Sequence, residues 1–161
     1  GSRMVLVPQS VSYLDPLMKV GEQVRRGQKD RESVMRCRQS MGRYGLGEDT
    51  EELYPFELSG GMTRRVLIST AVMEHPRLVI ADEPTPGLHI SAARRVLSHF
   101  REIADQGAGV LLITHDLELA LEVADRIVVF YAGTNVEEAL AEDFEDEQRL
   151  RHPYTLSLIH I

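Results

Sequence analysis

Short apolar runs alternate with longer polar segments along this chain. Four of the runs predict strands, at residues 3–8, 77–82, 109–114 and 126–131. Continuous apolar runs of this length are typical of strands in a parallel sheet that is covered on both faces. The segments between the runs have helical character, so the alternation predicts an α/β fold built on a parallel sheet.

Helical spacing is clearest between the second and third runs. Ser91 or His89 is expected to open this helix and Gly107 to close it. Its apolar positions share one face: Ala93, Val96, Leu97, Phe100 and Ile103. A helix is also predicted from Thr63 to Glu74, and Asp116 is predicted to cap another short helix.

Charged segments complete the pattern. Residues 21–54 predict helices whose apolar stripe comprises Val34, Met35, Met41 and Leu46. Three arginine pairs are interpreted as solvated helix faces: Arg25–Arg26, Arg36 with Arg38, and Arg64–Arg65. The acidic run 137–147 is interpreted as a solvated helix.

Composition narrows the class of protein. The net charge of −7 argues against a nucleic-acid-binding surface, which requires clustered positive charge. The single cysteine, Cys37, provides neither a disulfide framework nor a cysteine-based metal site. No apolar run approaches the ~18 residues of a membrane span, so a membrane role would come through a partner.

The turn Leu58-Ser59-Gly60-Gly61-Met62 precedes the helix predicted from Thr63. A helix start carries unpaired N–H donors and partial positive charge, which favour anions. Ser59 adds a hydroxyl, while Gly60 and Gly61 allow a phosphate to approach the backbone. The alternative is an ordinary turn that only caps the helix.

Polar side chains stand where three predicted strands end. Gln9 follows the first strand, Asp82 and Glu83 the second, and His115 the third. Open α/β sheets place their ligand contacts at the carboxyl ends of strands. A solvated acidic turn is the alternative explanation of the Asp-Glu pair, and a lone histidine is usually structural.

These motifs, in this order and spacing, resemble the ABC ATPases: the LSGGM helix start, the strand ending in Asp82-Glu83, and the strand ending in Thr114-His115-Asp116. Residues 12–23 and the tail Arg151-His152-Pro153-Tyr154-Thr155 resemble the branch that imports oligopeptides, dipeptides and nickel.

The resemblance implies a site for ATP and Mg²⁺. Gln9 would contact the Mg²⁺ and the attacking water, and Asp82 would hold the Mg²⁺ through water. Glu83 would act as the general base, and His115 would hydrogen-bond the γ-phosphate. Ser59, Gly60 and Gly61 would contact the γ-phosphate of ATP that a second subunit holds.

Two departures from the family pattern stand out. The motif Gly-x-x-x-x-Gly-Lys-Ser/Thr is missing from the sequence, so the loop that cradles phosphates is missing too. We therefore expect an N-terminally truncated form that does not hydrolyse ATP alone. In the D-loop, His89 stands where the family has aspartate, which puts communication between the two sites of a dimer in doubt.

The resemblance implies three parts. Residues 1–10 and 76–135 would form a partial RecA-like ATPase core of the P-loop NTPase type. Residues 11–75 would form an inserted helical subdomain carrying the signature turn, and residues 136–161 an acidic C-terminal extension.

The function implied is the distal part of an ABC importer's nucleotide-binding subunit. ATP binding and hydrolysis would drive import of peptides or nickel. Its partners would be transmembrane permease subunits and a second, head-to-tail ATPase subunit, at the cytoplasmic face of the plasma membrane, with no nucleic acid. One alternative is a non-catalytic module that docks a permease or partner ATPase. Another is an ABC-type ATPase of DNA repair, which the acidic charge and the His-Pro-Tyr-Thr tail oppose.

Overall fold

The computed structural model describes residues 4–10, 12–73 and 75–159. The chain divides into two compact units, Gly1–Ile113 and Thr114–Ile161. Arg3, predicted to begin a strand, and Glu74, predicted to end a helix, lie outside the described residues. Within the described ranges, no helix is long and apolar enough to cross a membrane.

A parallel three-stranded sheet forms the base of the first unit, and its strand order is β1-β2-β3. The strands are β1 (Met4–Val7), β2 (Leu78–Asp82) and β3 (Gly109–Ile113). Val7 pairs with Ala81, and Ala81 pairs with Leu112, so the carboxyl ends of the three strands meet at one edge. The predicted α/β architecture with a parallel sheet is confirmed.

The sheet is covered on one face only, so the prediction of two covered faces is wrong for the described residues. Val5, Val7, Val79 and Ala81 are buried. On the opposite face, the exposed fractions are 57% for Met4, 54% for Leu6, 52% for Leu111 and 47% for Ile113. Side chains alternate between faces along a strand, and a continuous apolar run does not reveal that one face is open.

A helical lobe lies between β1 and β2 in the chain. It contains α1 (Val20–Val24), α2 (Arg31–Arg43) and α3 (Gly60–Val72), with 3₁₀ turns at Glu48–Glu52 and Pro55–Glu57. Its apolar core includes Val20, Val24, Cys37, Met41 and Val66. Together with the sheet, this lobe gives the first unit its two layers of structure.

The apolar stripe predicted for the lobe is partly wrong. Met41 and Leu46 are buried, but Val34 is half-buried and Met35 is 66% exposed. The buried face of α2 instead comprises Ser33, Cys37, Ser40 and Met41, which recur at helical spacing. Serine side chains are small enough to lie on a buried face, but a search for apolar residues does not count them. The predicted stripe is therefore shifted about one residue from the face that is buried.

The side chain of Arg25, from the first of the predicted solvated pairs, is largely shielded from solvent. Arg25 Nη1 lies 2.7 Å from Glu51 Oε2, and both side chains are largely shielded from solvent. Arg38 Nε reaches the other oxygen of Glu51, Oε1, also at 2.7 Å, while its own side chain stays exposed. Glu51 thus joins α1 and α2 through its two carboxylate oxygens.

Helix α4 (Ile90–Asp105) follows β2 and confirms the predicted helix. His89 is its N-cap, and Ala93, Val96, Leu97 and Phe100 are buried. The chain turns through Gly107 into β3.

The second unit holds a β-hairpin rather than a continuation of the parallel sheet. Its strands, β4 (Arg126–Tyr131) and β5 (Thr134–Leu140), pair antiparallel. Ala132 and Gly133 join them with φ values of 48° and 79°, the backbone that tight hairpin turns require. The predicted fourth strand therefore exists, but it pairs with its neighbour in sequence.

The acidic run is not a solvated helix, so that prediction is wrong. Its first residues lie in β5, and 3₁₀ turns follow at Ala141–Glu145 and Glu147–Arg149. Glu137 accepts hydrogen bonds from the backbone N–H groups of Arg151 and His152, at 2.9 and 3.0 Å. Phe144 is buried with Val129 and Leu150. The unit also contains α5 (Leu117–Leu121) and α6 (Pro153–Ile159).

Candidate functional site

The candidate site begins at the carboxyl edge of the sheet. Asp82 is the last residue of β2, and Gln9 follows β1 by two residues. Because β1 and β2 are parallel and paired, the structure brings Gln9 and Asp82 to the same edge. Gln9 is exposed and Asp82 half-buried. Ligands of open α/β sheets bind at this edge.

Glu83 leaves the strand in an unusual backbone conformation. Its φ is 46°, a left-handed value that non-glycine residues adopt at a cost of about 1–2 kcal/mol. Its N–H donates to the carbonyl of Ile113 at 2.9 Å, which holds the turn against β3. One of its carboxylate oxygens is shielded from solvent. Strained residues of this kind concentrate at functional sites.

Arg64, in the second turn of α3, connects two segments of this edge. Its Nη1 donates to the carbonyl oxygen of Glu83 and its Nη2 to that of Gln9, both at 2.8 Å. Arg64 is only 9% exposed, so the prediction of a solvated face is wrong for it. The planar fork of arginine suits two acceptors at once, and this one fixes the backbone beside both candidate residues.

The sequence contained a signal for Arg64 that the paired-charge interpretation missed. Arg64 lies three, four and seven residues before Leu67, Ile68 and Ala71, which are buried. This spacing places all four on one face of α3. Arg65 is also engaged, since its Nη1 donates to the carbonyl oxygen of Tyr44 at 2.8 Å.

Ser59 is the N-cap residue of α3. The Ser59 hydroxyl accepts a hydrogen bond from the N–H of Met62 at 3.3 Å. Ser59 and Gly60 are exposed, and a Cβ placed on Gly60 would meet nothing within 4 Å. Ser59 therefore caps the helix, as the alternative interpretation of the turn predicts. The same helix start is exposed, so an anion could still approach it.

The loop after β2 lies beside this helix start. A Cβ on Gly61 would come within 3.4 Å of the carbonyl oxygen of Gly87. The loop is closed by the N–H of Leu88, which donates to the carbonyl of Thr85 at 3.0 Å. His89 then caps α4, its Nδ1 accepting from the N–H of Ser91 at 3.4 Å. In this structure, His89 performs the capping role that an aspartate side chain commonly fills.

His115 belongs to the second unit and lies in a well-defined turn. The Thr114 hydroxyl accepts from the N–H of Asp116 at 3.1 Å. Asp116 caps α5, as predicted, by accepting from the N–H of Leu119 at 3.0 Å. His115 is exposed between these two residues. The turn therefore presents the imidazole to solvent.

The residues present fit only part of a Mg-ATP site. Gln9 and Asp82 offer two oxygen ligands for Mg²⁺, and the open turn at Ser59 and Gly60 offers donors for a phosphate. Among the described residues, no group of three or more His, Cys, Asp or Glu side chains could hold a metal ion. These residues can supply oxygen ligands for a cation and donors for a phosphate.

Curated relatives are similar to most of this chain. The chain is 37% identical to the oligopeptide transport ATP-binding protein OppD of Lactococcus lactis subsp. cremoris (strain SK11), over 99% of this chain and 49% of the relative. It is 42% identical to the dipeptide transport ATP-binding protein DppD of Haemophilus influenzae, over 70% of this chain and 34% of the relative. The chain thus spans about half or less of these relatives' lengths.

Solved structures share the fold. The ATP-binding cassette MJ0796, a dimeric post-hydrolysis state bound to ADP and Pi, superposes with a TM-score of 0.78 at 26% identity, over 87% of this chain and 63% of that one. An ATP binding subunit of an ABC transporter gives a TM-score of 0.81 at 25% identity, over 99% and 69%. The family model described as ABC transporter matches residues 1–86, more than half of the sequence, and the chain therefore belongs to the ABC transporter family.

Proposed function

We propose that this chain is the distal part of an importer's ATP-binding subunit, of the branch that carries oligopeptides, dipeptides or nickel. One observation carries the proposal: Arg64, in the helix that begins at the Ser59 turn, bonds the backbone of both Gln9 and Glu83. A displacement of α3 would therefore move the backbone at the sheet edge. That coupling suits a protein in which nucleotide contacts and movement depend on each other.

The roles at the sheet edge follow from the chemistry of the side chains. Bound Mg-ATP supplies the phosphoryl group and the Lewis acid. Glu83 takes the proton of the attacking water, and its fixed backbone restricts where that carboxylate can reach. Asp82 would hold the Mg²⁺ through water, and Gln9 would contact both the Mg²⁺ and the attacking water. His115, in the second unit, would hydrogen-bond the γ-phosphate through an imidazole N–H, as the family resemblance implies.

The Ser59 turn contacts a phosphate held by another subunit. Ser59 and the N–H groups of Gly60 and Gly61 lie at the positive end of α3, a helix of 13 residues. As the family resemblance implies, the turn acts on the nucleotide of a head-to-tail partner ATPase. Permease subunits at the cytoplasmic face of the plasma membrane receive the motion.

The second candidate is a non-catalytic module that docks a permease or partner ATPase. The absence of Gly-x-x-x-x-Gly-Lys-Ser/Thr from the sequence favours this candidate for the chain acting alone. The division into an ATPase core (1–10 and 76–135), a helical subdomain (11–75) and an acidic extension (136–161) remains a prediction under both candidates.

A chimera tests the two against each other. The N-terminal part of the Lactococcus lactis OppD protein that this chain does not span would be joined to residue 1. We expect Mg²⁺-dependent ATP hydrolysis by the chimera and none by the 161-residue chain. A folded chimera that binds ATP but hydrolyses it no faster than its Glu83→Gln variant would contradict catalysis and favour the docking module.

A further inference from the structure

A basic cleft of about 380 Å³ opens in the first unit between the C-terminal parts of α2, α3 and α4. Five cationic or basic side chains line it: Arg36, Arg43, His75, Arg77 and His99. None of the lining residues that the structure describes is acidic, although the whole chain carries a net charge of −7. The cleft therefore concentrates positive charge in a chain whose net charge is negative.

Part of this positive charge is not compensated. Arg43 lies 3.0 Å from Glu102, and Arg36 lies 3.4 Å from Glu32, in ion pairs that are exposed to solvent. Exposed pairs of this kind hold their charges weakly. Arg77 forms no ion pair with any described residue. Its guanidinium is thus available to an anion in the cleft.

His99 is held as a hydrogen-bond donor. Its Nδ1 bonds the hydroxyl of Tyr44, which is 1% exposed. Burial raises the pKa of Tyr44, so the hydroxyl keeps its proton and donates to Nδ1. Burial, together with nearby Arg43, lowers the pKa of His99 and so favours the neutral ring. When Tyr44 donates to Nδ1, the proton of a neutral ring is on Nε2. Tyr44 therefore selects the tautomer that leaves Nε2–H as the ring's free donor.

The rest of the lining is mixed, with the polar side chains of Gln39, Ser40 and Gln106 beside an apolar part. Val72, Pro76 and Ile103 contribute to the lining beside the basic groups. The volume falls within the ~300–1,000 Å³ typical of small-molecule pockets. Such a combination suits a ligand with one strongly anionic end and one apolar end.

We propose that this basic cleft binds a small organic phosphate, a phosphate monoester whose dianion contacts the arginines and His99 while its organic group packs on the apolar wall. Arginine guanidinium groups match phosphate oxygens in geometry as well as charge. Arg77 precedes β2 and Ala108 precedes β3, so the cleft lies at the amino ends of these strands. The five-residue β2 separates it by about 17 Å from the edge that carries Asp82. The proposal is thus independent of the proposed ATPase role.

Titration of the full 161-residue chain with phenyl phosphate tests this proposal, followed by NMR of the histidine ring protons. We expect saturable shifts of the His75 and His99 resonances. Phenol, which lacks the charge, should cause no such shifts. Inorganic phosphate, which lacks the apolar group, should bind more weakly than phenyl phosphate. Equal affinity for inorganic phosphate would overturn the assignment of an organic ligand, and unshifted histidines would overturn the site itself.

Two matched arginine variants distinguish binding of phenyl phosphate in the cleft from its general electrostatic attraction to the protein surface. Arg77→Gln should weaken phenyl phosphate binding about tenfold, the value of one charge-assisted hydrogen bond. Arg31→Gln removes the same charge from the other end of α2, outside the cleft, and should leave the affinity unchanged. An equal loss in both variants would overturn the proposal. Circular dichroism checks folding, and Arg36→Gln repeats the test if Arg77→Gln does not fold.

Discussion

Arg64 donates a hydrogen bond from Nη1 to the backbone carbonyl of Glu83 at 2.8 Å. The donor lies in α3 and the acceptor just beyond β2, 19 residues later in the chain. The contact therefore joins the helical lobe to the sheet edge at the residue proposed to activate water. Because Arg64 is almost completely buried, its charge depends on these carbonyl acceptors for compensation.

Arg64→Lys should destabilise the first unit. A lysine ammonium is a point donor and cannot reach two carbonyls with the geometry of a guanidinium fork. We expect the free energy of unfolding in urea to fall by about 1–3 kcal/mol, the cost of an unmet buried group. Arg31→Lys, an exposed change on α2, is the matched control. Equal stability of Arg64→Lys and the wild type would show that the bonds to Gln9 and Glu83 contribute little.

Glu83→Gln should abolish turnover in the chimera while sparing ATP binding. The glutamine amide has nearly the same shape as the carboxylate, and glutamine adopts the same backbone conformation at a similar cost. The amide, however, cannot accept a proton. Removal of a general base costs about 10²–10⁴-fold in rate. Steady-state ATPase assays and nucleotide titration measure the two effects separately. Turnover at the wild-type rate would exclude Glu83 as the base.

Gly60→Asp should block association without disturbing the fold. A side chain at Gly60 meets nothing within 4 Å, and a carboxylate at the first turn of α3 interacts favourably with the helix dipole. The same carboxylate repels a phosphate that approaches from a partner. In a Glu83→Gln chimera with ATP, size-exclusion chromatography should show dimers that the added Gly60→Asp change removes.

Gly60→Asn is the neutral comparison, because it adds similar bulk without charge. We expect it to retain more dimer than Gly60→Asp. If Gly60→Asp dimerises as readily as the Glu83→Gln chimera alone, the Ser59 turn does not contact a phosphate across the dimer.

His89→Asp should stabilise α4. His89 caps this helix through a 3.4 Å contact from the N–H of Ser91, and aspartate is among the preferred capping residues. Its negative charge also interacts favourably with the helix N-terminus. We expect thermal and urea unfolding to show a gain of about 0.5–1 kcal/mol. A loss of stability would mean that the imidazole makes a contribution beyond the cap.

Cys37 should resist alkylation in the folded chain. Burial raises the pKa of its thiol to about 11, so the reactive thiolate is scarce at pH 8. We expect labelling by iodoacetamide to be about a hundredfold slower than in urea-unfolded chain, where the thiol has an ordinary pKa. The native rate should rise as the pH approaches 11. Equal rates at pH 8 would contradict the burial of Cys37 within the helical lobe.

The elements that the sequence predicted well are those whose signal is local. Helix α4 shows an apolar face at helical spacing and polar caps at both ends, and the structure matches all of these features. The strands were recognised for the same reason. The edge bearing Gln9, Asp82 and Glu83 followed from strand ends, because parallel pairing brings such ends together.

The features that the sequence did not reveal depend on distant partners. Helical spacing could have placed Arg64 on the buried face of α3, but its acceptors lie 55 residues before it and 19 residues after it, and no local pattern identifies them. The charge of the acidic run predicts a solvated helix, whereas the Ala132–Gly133 turn pairs its first residues with β4 in a hairpin. The left-handed backbone of Glu83 likewise depends on its bond to Ile113.

The open face of the three-stranded sheet governs how this chain behaves in concentrated solution. Strand pairing places Met4 and Leu6 beside Leu78 and Ile80 of the central strand, and Ile80 beside Leu111, so apolar side chains continue across one face of the sheet. Contiguous surfaces of this kind promote self-association. Sulfate and phosphate salts strengthen apolar burial, so they lower the concentration at which the chain precipitates. Handling should therefore favour dilute samples, and a polar replacement at Leu111 should extend the usable concentration range.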